Sequence, residues 1–98
     1  MHRVLVAEGL SVYCGTVEEG DQLYEKVKRL LVKGEKVLLD FDGVEIASSS
    51  FFGTFIYRLH ADYGSDALGT QVKYCLLLPR LQFVLNHTLT AMHSQITN

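Results

Sequence analysis

The sequence predicts a small α/β fold: a mixed sheet of about four strands with three helices packed on it, in the order β-β-α-β-α-β-α. Three observations carry this expectation. Val37-Leu38-Leu39-Asp40-Phe41 is a nearly continuous apolar run, the pattern of a strand buried on both faces in the middle of a sheet. Three longer segments, opened by Thr16, Ser50 and Pro79, repeat apolar residues at helical spacing. A helix falls between each pair of later strands, and parallel strands need such crossovers.

Arg3 to Glu8 and Leu10 to Cys14 are short segments rich in valine and leucine, and Gly9 between them suits a tight connection. A hairpin is expected there. Thr16-Val17-Glu18-Glu19 has the pattern of a capping box, in which the threonine oxygen accepts from an early helical N–H and the glutamate reaches back. Leu23, Val27, Leu30 and Leu31 follow at helical spacing, and Gly34 stops a helix of about residues 17–33. Gly20 weakens its first turn. The outer face carries Glu25, Lys26, Lys28, Arg29 and Lys33. Such a face is either simply solvated or a basic surface for an acidic partner.

Asp42 to Ser50 reads as a loop whose Val44 and Ile46 dip into the core. Ser50 is the expected N-cap of the second helix. Phe52, Phe55, Ile56, Leu59 and Tyr63 mark its buried face, Phe51 widens it, and Gly64 closes it. Tyr63 to Thr70 reads as a surface loop and Val72 to Leu78 as a second central strand. Pro79 suits the first turn of a third helix, with Leu81, Val84, Leu85, Leu89 and Met92 as its stripe. Ser94 to Asn98 reads as a polar tail.

A chain of 98 residues has room for one domain, residues 1–98. With 48% hydrophobic and 20% charged residues it has an ordinary globular composition, which excludes disorder, collagen and a disulfide scaffold. Nine basic against eleven acidic residues argue against a general nucleic-acid binder. The apolar run Val4 to Ala7 stops at Glu8, too short for a signal-peptide core or a membrane span, so a cytoplasmic protein is expected. Cys14 and Cys75 read as buried thiols of a reducing compartment. His2, His60, His87 and His93 have no metal-ligand spacing, and neither GxGxxG nor a P-loop occurs. No cofactor and no metal are expected.

Chemistry concentrates in VLLDFDGVEIASSSFFG, residues 37–53. A strand runs out into a loop, three serines follow, and a helix starts. Sites in α/β sheets collect at the carboxyl ends of such strands. A helix N-terminus carries about half a positive charge. It therefore accommodates an anion, including a phosphate on a serine. Capping of the helix alone also accounts for the serines. A small-ligand site at the same strand ends is a further reading.

Asp40-Phe41-Asp42-Gly43-Val44 resembles the first motif of the haloacid dehalogenase family. That likeness implies a magnesium-dependent phosphoryl-transfer enzyme, with Asp40 as nucleophile and Asp42 as acid/base. The family also needs a downstream lysine and an acidic pair, and after residue 53 this chain offers only Lys73, Asp62 and Asp66.

The same segment resembles more closely the central motif of STAS domains (sulfate transporter and anti-sigma-factor antagonist), above all the bacterial STAS-like domains of unassigned function. Asp40, Phe41, Gly43, Val44, Ile46, Ser49 and Ser50 fit that motif in register. The resemblance implies a non-enzymatic regulatory module that binds a protein partner through Asp42, Gly43, Ser48, Ser49, Ser50 and Phe51. In the antagonists, a serine at the helix start is phosphorylated by an ATP-binding serine kinase of the histidine-kinase-like fold, and this abolishes binding to that kinase. Ser50 matches the modified serine and Ser49 its neighbour. Ser48 and Phe51 depart from the antagonist motif, which has aspartate and glycine there. The excess of Phe51, Phe52, Phe55 and Tyr57 leaves a homodimer open, with burial in the core as the competing account.

Overall fold

The computed structural model describes residues 1–64 and 70–96, with side chains up to residue 92. The elements are β1 (His2–Leu5), α1 (Val6–Gly9), β2 (Tyr13–Cys14), α2 (Val17–Val32), β3 (Val37–Asp40), β4 (Ile46–Ala47), α3 (Ser49–Tyr63), β5 (Val72–Cys75) and α4 (Pro79–Ile96). They form a small α/β fold with two parallel sheets, ordered β1-β3-β5 and β2-β4. β3 lies in the middle, as its apolar run predicts, with Val37 and Leu39 fully buried.

The expected hairpin is not formed. A single helical turn, closed by the Leu10 N–H donating to the Val6 carbonyl, separates β1 from β2. β1 pairs in parallel with β3, His2 opposite Val37 and Leu5 opposite Asp40, while β2 pairs with β4. The first two strands thus enter different sheets, and no antiparallel pair occurs among the described residues. Among the described residues, the expected four-stranded mixed sheet with three helices is replaced by five short strands in two parallel sheets and four helices. Burial explains the outcome, because Val6 is 1% exposed as a helical residue. Strand β5 is also shorter than expected: Leu76 adopts a left-handed φ of 57° and breaks it. It lies at an end of the sheet order, not at its centre.

α2 is built as its sequence implies. Thr16 and Glu19 form the full capping box. At the other end the Gly34 N–H donates to the Leu31 carbonyl and the Glu35 N–H to that of Leu30, a Schellman closure that uses the positive φ of Gly34. Leu23, Tyr24, Val27 and Leu31 are buried beneath it.

α3 buries Phe51, Phe52, Phe55, Ile56 and Leu59, so its aromatic excess is core. α4 starts at Pro79 and buries Leu81, Leu85, Thr88 and Met92, and its backbone stays helical to Ile96 where a polar tail was expected. Most of the expected 63–70 loop lies outside the described residues. Cys14 is buried, whereas Cys75 is only partly so. No helix among the described residues is long and apolar enough to cross a membrane.

α2 and α3 are clasped at their outer edge. Arg58 donates to Asp21 and Glu25, each at 3.0 Å, and lies 4.4 Å over the Tyr24 ring, while the Tyr24 hydroxyl donates to Asp62. Burial, reinforced by that bond, raises the Tyr24 pKa.

Candidate functional site

Two groups of residues emerge from the carboxyl end of β3. The first is a tight turn. The Val44 N–H donates to the Phe41 carbonyl, and Gly43, with φ of 86°, occupies the third position that such a turn reserves for glycine. Asp40 organises it. One carboxylate oxygen accepts from the Asp42 backbone N–H at 2.8 Å and the other from Arg3 Nε at 2.7 Å. Asp40 is 4% exposed, and these bonds, first the one from Asp42, hold its pKa below the ordinary aspartate value. Asp42 and Gly43 are exposed at the tip.

The second group is the serine run. Ser48 is the N-cap of α3, where Ser50 was expected: its hydroxyl accepts from the Phe51 N–H and donates to the Gly15 carbonyl. The β2–β4 pair accounts for the choice between the three serines. The Ser48 N–H still donates to the Cys14 carbonyl, the helix starts directly after it at Ser49, and Ser48 is left to cap. Ser49 and Ser50 occupy the first helical turn, both exposed, and that turn contains no acidic residue. Phe51 is fully buried and faces Phe52, so it is withdrawn from the expected binding surface.

The start of α3 lies beside the start of α2. The Ser48 N–H donates to the Cys14 carbonyl, and the Ser48 hydroxyl reaches Gly15. The two N-termini differ in charge. At α2, Glu19 accepts from the N–H groups of Gly15 and Thr16 and from the Thr16 hydroxyl. Among the described residues no carboxylate does this at α3, whose first turn has no acidic residue. Among the described residues no hydrogen bond joins the Asp42–Gly43 tip to the serine run.

An unforeseen neighbour completes the surface. Tyr13 and Ile46 pair across β2 and β4 and are 55% and 50% exposed. Ile46 was expected inside, yet successive residues of a strand face opposite ways, and Ala47 takes the buried side. The Tyr13 phenol faces Glu45, which raises its pKa. Arg80 donates twice to the Glu45 carbonyl and so fixes β4 against α4. No local signal in the sequence could place Tyr13 beside Ile46, because the pairing spans the whole of α2. Among the described residues no group of histidine, cysteine, aspartate and glutamate side chains could hold a metal ion.

Residues 19–75, more than half the chain, match the model of a family described as "STAS-like domain of unknown function (DUF4325)". No curated protein and no solved structure matches the chain significantly.

Proposed function

We propose a function from one premise: the chain belongs to the family of STAS-like domains of unknown function. It acts as a non-enzymatic module of a bacterial, cytoplasmic regulatory system. It binds a protein partner through the first turn of α3, the Tyr13–Ile46 pair and the Asp42–Gly43 tip. An ATP-binding serine kinase of the histidine-kinase-like fold phosphorylates Ser50, or its neighbour Ser49, and thereby ends the complex.

One observation carries this reading: Ser49 and Ser50 stand exposed on a helical turn with no acidic residue of its own. A phosphate there adds about −1.5 to −2 charge where the helix dipole favours it. The fold therefore tolerates the modification, while a complementary partner surface meets new charge and its desolvation cost. Tyr13 and Ile46 supply apolar contact area beside the serines, of the aromatic and aliphatic kind that anchors interfaces. The non-enzymatic reading is supported by Asp40, whose two oxygens are both engaged, one by the Asp42 N–H of the turn and the other by Arg3 of β1.

The test is to incubate the protein with candidate kinases of that fold and ATP, and to map phosphate by mass spectrometry. Modification of Ser50 or Ser49, and weaker partner binding by Ser50→Asp, are expected. Persistent absence of phosphate from Ser48, Ser49 and Ser50 removes the switch. Metal-dependent phosphatase activity that disappears in Asp40→Asn would replace the module with an enzyme.

A further inference from the structure

An open groove of about 570 Å3 lies between β1 and the C-terminal half of α2, at the opposite end of α2 from the serine run. Its floor is the free edge of a sheet. β1 ends the order β1-β3-β5, and the His2 N–H donates to the Lys36 carbonyl at 2.8 Å. Backbone groups alternate sides along a strand. His2 and Val4 therefore face β3, and Arg3 turns its N–H and C=O, and Leu5 its N–H, to the groove, while the Leu5 carbonyl opens α1 as its N-cap. Among the described residues no backbone hydrogen bond outside the helices and strands takes up those three groups.

The walls are basic. Lys26 and Arg29 come from α2 and Lys33 from its C-cap, His2 and Arg3 (the latter paired with Asp40) from β1, and Glu8 is the acid of the lining. Lys26 Nζ donates to the Gly9 carbonyl at 2.6 Å, which ties α2 to the end of α1 and fixes the width of the groove. Arg29 and Lys33 are exposed.

We propose that this groove takes an extended acidic segment of a partner protein, which adds to the free edge of β1 as a further strand. Main-chain bonds to Arg3 and Leu5 hold such a segment in place, and its carboxylates meet Arg29 and Lys33. A second copy of the chain is a poorer occupant, because it would set one basic groove against another. The inference is independent of the serine switch, since it uses neither α3 nor β4.

Leu5 offers a clean variant. Its φ of −87° is near the value proline imposes, about −65°, and its N–H points away from β3. Leu5→Pro therefore removes the edge donor and leaves the β1–β3 ladder intact. The probe is a capped octapeptide alternating valine and glutamate, titrated into isotopically labelled protein and followed by amide NMR. Shifts and exchange protection at Arg3 and Leu5 are expected, with affinity falling about tenfold or more from low to high salt. Leu5→Pro, with its circular dichroism unchanged, should lose binding, as should the double variant Arg29→Gln/Lys33→Gln. The double variant alters only exposed residues and decides the matter if Leu5→Pro does not fold. The proposal is overturned if neither amide shifts, if a folded variant binds as tightly as wild type, or if a valine–lysine peptide binds equally. It is also overturned if sedimentation shows a dimer that Leu5→Pro dissociates, since the occupant is then a second copy.

Discussion

A methyl group on Gly20 would lie 2.7 Å from the Phe51 carbonyl oxygen and 2.9 Å from Thr54 Cβ. α2 and α3 therefore meet backbone to backbone at their first turns, and this contact brings Gly15 within reach of Ser48. In an open helix, glycine to alanine gains about 1 kcal/mol. Here the added carbon meets backbone that cannot swing aside, and overpacking costs about 1–3 kcal/mol. Gly20→Ala is expected to lower the melting temperature by several degrees, read by thermal circular dichroism. An increase would show that the two helices can separate freely.

The Asp40 carboxylate links the turn after β3 to β1 through Arg3, and its lowered pKa makes that link pH-dependent. A carboxyl whose folded pKa is depressed stabilises the fold above its unfolded value, and the contribution disappears as pH falls through the folded value. Asp40→Asn is expected to cost about 1–3 kcal/mol at neutral pH, because it weakens hydrogen bonds to a charged acceptor. The difference between wild type and variant should close below roughly pH 4, in urea unfolding followed across the acid range. A constant difference at all pH values would mean that the carboxylate charge contributes nothing.

Local patterns in the sequence carried the capping box at Thr16, the buried run of β3, the closing glycines Gly34 and Gly64 and the start of α4 at Pro79. Each depends on residues a few positions apart. What was not legible depends on distant pairing. Gly9 suits a hairpin, but the strand it follows pairs with β3, on the far side of α2. Three adjacent serines can all cap a helix, and it is Ser48 that also bonds to Cys14 and Gly15, more than thirty residues away in the chain. Gly20 did leave a signal. It precedes Leu23, Tyr24 and Val27 by three, four and seven residues, so it lies on the buried stripe of α2. A glycine there marks close approach and not only a weak turn. The motif residues Asp40, Gly43 and Val44 were placed correctly at the strand end, and Asp40 has the structural role of holding the loop N–H.

The two cysteines differ in burial. Cys14 is fully buried, and burial pushes its thiol up to about 11. Cys75 is partly accessible. At pH 8 a small alkylating reagent should modify Cys75 in the native protein and reach Cys14 only through unfolding, because the thiolate is the reactive form. Peptide mass mapping over time separates the two sites. Equal rates at both would place Cys14 in a segment that opens locally.

The serines of the α3 start have separable roles. Ser48 caps the helix and bridges to Gly15, so Ser48→Ala should cost about 1 kcal/mol. Ser49→Ala and Ser50→Ala remove exposed hydroxyls that make neither contact and should change stability by less than about 0.5 kcal/mol. Ser50→Asp places a negative charge in a first turn that has none, which is worth about 0.3–1 kcal/mol at low salt and less at high salt. The same substitution is expected to weaken partner binding. Stability and affinity would then move in opposite directions in a single variant. Urea unfolding at two salt concentrations, set beside a binding titration, reads both. A Ser50→Asp protein that is destabilised would show that this turn is already neutralised and that a phosphate has no favourable seat on it.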